Sequence, residues 1–132
     1  MIPYLLLALG GALGTVARYS LNGWVLSLAG PTFPWGTLVI NVTGSFAIGF
    51  FATLTEPGGR VYASPASRQF FMVGICGGFT TFSAFSLQTL ELARTDEWFK
   101  AGAYVVLSVV CSLIAVWLGH LAGAYFNQLR GH

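Results

Sequence analysis

The most unusual part of the sequence is residues 77–86, which read Gly77-Gly78-Phe79-Thr80-Thr81-Phe82-Ser83-Ala84-Phe85-Ser86. Glycine is about 1 kcal/mol less favourable than alanine in a helix, so two adjacent glycines before a run of hydroxyl residues disfavour a continuous one. The composition fits either an interrupted helix or a glycine-packed helix whose hydroxyls bond to its own carbonyls. In lipid, an interruption must line a cavity, be buried in protein or hold an ion, because unpaired backbone groups there are costly.

The rest of the chain has the composition of a membrane protein. Of its 132 residues, 55% are hydrophobic and only 8% are charged, against about 25% charged in a soluble domain. A spanning helix needs about 20 apolar residues, and the uncharged segments come close to this length or exceed it: residues 1–17, 19–55, 69–90 and 101–129. The sequence therefore predicts an integral membrane protein, and its net charge of +2 gives no indication of nucleic-acid binding.

Proline and glycine divide the chain into four predicted spans within one domain, residues 1–132. The sequence Gly30-Pro31-Thr32-Phe33-Pro34 separates the first two spans, because proline disfavours a helix at its own position and just before it. Ser64-Pro65 is typical of a helix N-cap followed by proline in the first turn. The predicted spans are residues 3–28, 35–55, 65–94 and 98–128.

Pairs of glycines four residues apart recur in the spans and allow helix backbones to approach closely. The pairs are Gly10 and Gly14, Gly74 and Gly78, and Gly119 and Gly123. Four helices packed this tightly leave little room for a pore between them. We therefore expect a transport path at a subunit interface.

Lysine and arginine are balanced between the two sides of the predicted membrane domain. Arg60, Arg68 and Arg130 fall on the side of both termini, and Arg94, Lys100 and the deeper Arg18 fall on the other. The side richer in these residues normally stays in the cytoplasm. The tie indicates either that other features fix one orientation or that the chain inserts both ways, in which case two opposite copies would resemble the inverted repeats of larger transporters.

Uncharged polar side chains are spaced along the spans. Tyr104, Ser108 and Ser112 recur every four residues and therefore share one helix face, and Asn41 adds an amide in the second span. Donors without a fixed positive charge suit a small anion that must leave as well as bind. The same groups could instead form hydrogen bonds between helices.

Three further side chains have two interpretations each. Phe82 and Phe85 share a face if the helix resumes there, and the positive edges of their rings could line an anion path; they could equally contact lipid or other helices. Arg18 lies inside a span, either in an aqueous vestibule or snorkelling to the interface. No paired carboxylates, metal-ligand cluster, Ser-His-Asp set or phosphate loop is evident, so we expect no enzyme.

Residues 77–86, together with Gly36-Thr37-Leu38-Val39-Ile40-Asn41 and the spacing of Tyr104, Ser108 and Ser112, closely resemble the Fluc (CrcB) family of microbial fluoride channels. The resemblance covers essentially the whole chain. It implies an all-α integral membrane protein whose third helix is broken near mid-membrane, assembled as an antiparallel, dual-topology homodimer with two pores. It also implies passive export of fluoride across the plasma membrane of a prokaryote.

The resemblance implies a role for each matching residue. The fluoride pore would be lined by Asn41, Phe82, Ser83, Phe85, Tyr104, Ser108 and Ser112. Backbone carbonyls of Gly77 and Thr80 from both copies would hold a structural sodium ion (Na+) at the dimer interface, and Arg18 would lie in the vestibule. The chain differs from the family at Ala84, where threonine is common, and at Gln88, where glutamate is common.

Two other classes of membrane protein fit a chain of this length. A small dual-topology multidrug/proton antiporter needs an intramembrane carboxylate, and no acidic residue lies within the first, second or fourth predicted span. A non-transporting scaffold would use its glycines only to dimerise, and it would leave the shared face of hydroxyls unexplained.

Overall fold

The computed structural model describes residues 2–129, so Arg130, one of the residues in the charge balance, lies outside the described range. Within residues 2–129, four helical stretches are long and apolar enough to cross a membrane: Ile2–Ala29, Trp35–Leu54, Pro65–Arg94 and Trp98–Gln128. The prediction of an all-α chain with four long apolar helices is confirmed.

The third of these stretches is composite, whereas the other three are continuous. The continuous helices are α1 (Ile2–Ala29), α2 (Trp35–Leu54) and α6 (Trp98–Gln128). The third stretch consists of α3 (Pro65–Gln69), a π-helical segment (Phe70–Cys76), α4 (Gly77–Phe79) and α5 (Phe82–Arg94). The irregular backbone is therefore concentrated in the stretch that contains residues 77–86.

Local chemistry sets the ends of these helices. α1 ends where Gly30 adopts a left-handed backbone (φ 81°) and its amide donates to the Leu26 carbonyl at 2.9 Å, an arrangement that glycine adopts without a Cβ penalty. α3 begins at Pro65, and the Ser64 hydroxyl accepts from the amide of Ser67 at 3.1 Å. The predicted N-cap at Ser64 is confirmed.

Glycine brings α1 against the third stretch. A Cβ at Gly10 would lie 2.7 Å from the Phe70 carbonyl oxygen and 3.0 Å from the Gly74 Cα. A Cβ at Gly14 would meet the Ile75 carbonyl, and one at Gly78 would lie 2.6 Å from the carbonyl oxygen of Gly11. The backbones touch here because these residues have no side chains.

Glycines also bring α2 against α6, and these two helices form the most extensive helix–helix contact of the fold. A Cβ at Gly119 would meet the Phe46 carbonyl and lie 2.9 Å from the Phe50 amide nitrogen. A Cβ at Gly123 would lie 2.9 Å from the Phe50 carbonyl oxygen. All three predicted glycine pairs therefore mediate close helix contacts, and they do so within one chain.

Candidate functional site

Two extended residues interrupt the third stretch between α4 and α5. They are Thr80 (φ −80°, ψ 158°) and Thr81 (φ −150°, ψ 115°). The Thr80 hydroxyl donates to the Cys76 carbonyl at 3.0 Å, and the Thr81 hydroxyl accepts from the Ala84 amide at 3.2 Å. The two hydroxyls thus supply hydrogen bonds to the helical segments on either side of the interruption.

Asn41 on α2 hydrogen-bonds both backbone groups of Thr81. Its Nδ2 donates to the Thr81 carbonyl at 3.0 Å, and its Oδ1 accepts from the Thr81 amide at 2.8 Å. These bonds satisfy backbone groups that would be costly to leave unpaired away from water. An amide nitrogen carries two N–H groups, so Asn41 can donate to Thr81 and to one further acceptor.

Arg18 on α1 also contacts this region. Its Nε donates to the carbonyl of Gly78 at 3.1 Å, and the side chain is half-buried. The bond is favourable because carbonyls at the C-terminal end of a helical segment carry partial negative charge. The structure thus gives Arg18 a partner beside the interruption, and its vestibule role stays a prediction.

The carbonyls of Gly77 and Thr80 are the predicted sodium ligands. In a continuous helix they would accept from the amides four residues on, those of Thr81 and Ala84. Those amides donate instead to the side chains of Asn41 and Thr81. Thr80 is extended and Gly77 begins α4, but both carbonyls lack the donor that a continuous helix would give them. Backbone carbonyl oxygens at a helix interruption are suitable ligands for sodium, so the chemistry of these two residues fits the ion.

A cavity of about 430 Å³, here called the central cavity, lies beside the interruption. Its walls come from α2, the third stretch and α6. Among its lining residues are seven that the sequence analysis singled out: Asn41, Gly77, Thr80, Phe82, Phe85, Ser108 and Ser112. No Lys, Arg, Asp or Glu is among its lining residues in the described part of the chain. The cavity therefore offers amide, hydroxyl and aromatic groups without a fixed charge.

Ser108 has the most informative environment of these residues. It is 6% exposed, and its Oγ is buried without a hydrogen-bond partner within residues 2–129. Leaving a buried donor unpaired costs about 1–3 kcal/mol, so such a group calls for an explanation such as an ion or a water. The residue lines the central cavity, one helical turn from Ser112. A hydrogen-bond acceptor that reaches this hydroxyl from the cavity would satisfy it.

Phe82 and Phe85 contribute two rings to the central cavity. Their ring centroids are 5.4 Å apart, and the planes are tilted by 52°. Phe85 is 9% exposed, and its ring centroid lies 5.1 Å from that of Tyr104, whereas Phe82 is 77% exposed. One ring is therefore fixed in the core and the other stands at an open side of the cavity.

Three predicted site residues are not among those that line the central cavity: Arg18, Ser83 and Tyr104. Tyr104 is fully buried behind Phe85, and its hydroxyl donates to Gln88 Oε1 at 2.8 Å. Ser83 is exposed, with its hydroxyl 3.4 Å from that of Thr81. The roles of these residues in permeation stay predictions.

The cavity also includes residues to which the sequence analysis gave no role in the site, among them Ser45, Ile48, Met72, Cys76 and Thr81. Ser45 and Ile48 lie four and seven residues after Asn41, so a search for polar groups on the face of Asn41 could have found Ser45. Met72 and Ile48 have no such signal, because an apolar residue in a span gives no indication of whether it faces lipid, protein or a cavity.

Comparisons with known proteins agree on one family. A family model described as "CrcB-like protein, Camphor Resistance (CrcB)" matches residues 5–120. A protein of Opitutus terrae named fluoride-specific ion channel FluC is 59% identical over 131 residues, covering 99% of this chain and 99% of that protein. Proteins of the same name from Rhodospirillum rubrum and Paramagnetospirillum magneticum are 58% and 57% identical, covering 96% and 97% of this chain and 98% and 100% of theirs.

Proposed function

This chain belongs to the CrcB-like family, and we propose on that basis that it is a fluoride-specific ion channel whose permeation path crosses the central cavity. Its function is ion transport and not an enzymatic reaction. Its four apolar helices and its bacterial relatives make it a multi-pass protein of the prokaryotic plasma membrane.

The unpaired hydroxyl of Ser108 is the observation that carries the placement of the path. It lines a cavity that also contains the amide of Asn41, the hydroxyl of Ser112 and the rings of Phe82 and Phe85. Each of these groups can present a hydrogen or a positive ring edge to a small anion. A fluoride ion in the cavity would give Ser108 the partner that residues 2–129 do not supply.

The uncharged lining suits conduction of a strongly hydrated anion. Fluoride must lose much of its water to enter a narrow path, and aligned hydroxyl, amide and ring-edge donors offset part of that cost. Binding must also be weak enough for the ion to leave, and a Lys or Arg in the central cavity would oppose this. Chloride is larger, so we expect the width of the path to exclude it.

Passive flow is sufficient for export. Hydrogen fluoride enters a cell from an acidic medium and dissociates inside, and the negative-inside potential then drives the anion out. Outward movement of one elementary negative charge is favoured by about 2.3 kcal/mol per 100 mV of this potential. The channel therefore relieves fluoride toxicity without its own energy source.

A second, antiparallel copy of the chain completes the proposed assembly. The balance of Lys and Arg on the two sides permits both orientations. Phe82 lines the central cavity and yet is 77% exposed, which supports a partner surface on that side. In this arrangement each dimer has two pores, one for each central cavity.

Sodium is the proposed structural ion of this dimer. It would be held by the carbonyls of Gly77 and Thr80 from both copies, whose usual helical donors are engaged elsewhere. When bound, sodium supplies positive charge that satisfies backbone carbonyls in a region without water. The bonds from Asn41 and Arg18 to the adjacent backbone would keep these carbonyls in place.

The structure disfavours the two alternative functions. An antiporter needs a carboxylate in its transport site, and none lines the central cavity in the described part of the chain. A scaffold that uses its glycines only to dimerise is disfavoured, because Gly10, Gly14, Gly74, Gly78 and Gly119 all lie at helix contacts within one chain.

Phe82→Ile and Phe85→Ile test the aromatic part of the proposed path. Each substitution keeps an apolar side chain but removes the ring edge, so we expect fluoride release from liposomes to fall by at least about tenfold, equivalent to about 1.4 kcal/mol of barrier. The matched control is Phe99→Ile, since Phe99 is 88% exposed and lies at the start of α6, away from the central cavity. Unchanged release from both pore variants, with intact dimers, would count against the aromatic path.

A further inference from the structure

A second, larger cavity lies next to the central cavity, at the side of the α2–α3 loop. Its volume is about 860 Å³, and we call it the outer cavity. Its walls come from the loop and from the beginning of the third stretch, and they include Thr55, Glu56, Tyr62, Arg68, Met72 and Val73. The two cavities differ in chemistry, because charged side chains line the outer one whereas none in residues 2–129 lines the central one.

Within residues 2–129, Met72 is the residue common to the linings of both cavities, so it lies where they adjoin. A third cavity lies on the opposite side of the helical domain, beside Gln88, Glu91 and Lys100, and in the described part of the chain it shares no lining residue with the central cavity. The side chain of Met72 is half-buried. An unbranched thioether has three rotatable bonds and fills space adaptably, which suits a movable constriction.

Because α6 packs closely against α2 beyond Ser112, we expect the path to continue towards Met72. The hydroxyl face of α6 ends at Ser112, and the next residue on that face, Val116, lies against Gly49 of α2, where a Cβ would meet the Val116 carbonyl. The α2–α6 interface is therefore closed beyond Ser112. Met72 belongs to the π-helical segment Phe70–Cys76, and π-helical turns inside α-helices are frequent at functional sites.

Arg68 gives the outer cavity a cationic group suited to anions. Its Nη1 donates to the Thr55 hydroxyl at 2.7 Å and to the Ala52 carbonyl at 3.4 Å, which anchors the guanidinium at the C-terminal end of α2. A guanidinium has five N–H donors, so this anchoring leaves capacity for an anion. Glu56 also lines the cavity, but it is exposed.

We infer that the outer cavity is the outer chamber of the permeation path, in which Arg68 attracts anions, and that Met72 is the constriction between this chamber and the central cavity. The inference rests on the proposed fluoride channel. It gives Arg68 the role of attracting anions and Met72 the role of a constriction. Both residues lie outside the aromatic and hydroxyl groups described above.

Substitutions at Met72 test the constriction by fluoride release from liposomes. We expect Met72→Trp to lower release by about tenfold or more, because a bulky ring would fill the constriction. Met72→Leu conserves volume and should remain within about twofold of the wild type. Val16→Trp is the matched control, since Val16 is 65% exposed on α1 and is not among the lining residues of either cavity. Release from folded Met72→Trp within about twofold of the wild type would overturn the constriction.

Substitutions at Arg68 test the outer chamber, and they also test the inference if Met72→Trp does not fold. The Debye length falls from about 30 Å at 0.01 M to about 3 Å at 1 M ionic strength. We therefore expect Arg68→Gln to lower release about threefold to tenfold at 0.01 M and to approach the wild type at 1 M. Arg68→Lys, which keeps the charge, should restore release at low ionic strength.

Two results would overturn the role of Arg68. One is wild-type release from Arg68→Gln at both ionic strengths, and the other is an equal loss at both, which would indicate a purely structural role through Thr55. Wild-type protein run in parallel separates the two proposals. If the wild type itself releases no fluoride, the proposed channel fails; if it conducts and these variants do not behave as expected, only the outer chamber fails.

Discussion

At the scale of single residues, side chains from other helices satisfy part of the interrupted backbone of the third stretch. Asn41 bonds both backbone groups of Thr81, and Arg18 bonds the carbonyl of Gly78. Ser108 is different, because its buried hydroxyl has no partner in residues 2–129. In the proposed channel this hydroxyl is held ready for the permeating ion at a cost in stability.

Ser108→Ala should therefore affect stability and conduction in opposite directions. Removing an unsatisfied buried hydroxyl should leave the free energy of unfolding unchanged or raise it by about 1 kcal/mol. Fluoride release should fall several-fold, because the path loses a donor. Denaturant unfolding in detergent and liposome release together check this, with Ser86→Ala as control, since that exposed hydroxyl donates to the Phe82 carbonyl. A large loss of stability in Ser108→Ala would indicate a structural role instead.

The sequence allowed part of this site to be predicted. Resemblance and spacing singled out Asn41, Phe82, Phe85, Ser108 and Ser112, and the fold brings all five to one cavity. The equal spacing of Tyr104 placed it on the same helix face, but its large ring fills the space behind Phe85 and its hydroxyl bonds Gln88. Periodicity gives the direction of a side chain and not the depth of its burial.

At the scale of helical elements, glycine determines which helices touch. The four-residue spacing of the glycines predicted close approaches between helices. It cannot indicate which helix is the partner, because any helix with small residues on its surface permits the same contact. The structure pairs α1 with the third stretch and α2 with α6. The π-helical segment Phe70–Cys76 was not predicted, since its composition differs little from that of an ordinary span.

Valine substitutions on α6 test this use of glycine. Gly119→Val would place a branched side chain against the Phe46 carbonyl and the Phe50 amide, so we expect a loss of about 2–3 kcal/mol in the free energy of unfolding. Gly102→Val is the matched control on the same helix, because a Cβ there meets nothing within 4 Å. Denaturant titration followed by circular dichroism would measure both. Equal stabilities would contradict the proposed tight packing of α2 on α6.

At the scale of the whole molecule, the proposed channel is a pair of chains of opposite orientation. The near-equal charges on the two sides and the open position of Phe82 support this arrangement. The orientation of a span responds to Lys and Arg in the short segments beside it. A chain with balanced charges should therefore be easy to bias in either direction.

Charge-biased variants test the antiparallel assembly. One variant carries lysines appended after residue 132, and the other carries Thr32→Lys with Phe99→Lys on the opposite side. We expect each to insert in one orientation, as reported by tags on both termini, and to conduct fluoride poorly alone. Co-expression of the two should restore release to at least about half of the wild-type value. Full conduction by either variant alone, in a single orientation, would contradict the antiparallel dimer.

Fluoride release from liposomes that contain the purified wild-type protein, repeated with chloride, tests the proposed channel most directly. The uncharged donors of the central cavity, and the narrow path that we expect across it, predict rapid release of fluoride, read with a fluoride electrode, while chloride is retained. Equal release of both ions would contradict the selectivity, and no release of fluoride from well-folded dimers would contradict the channel itself.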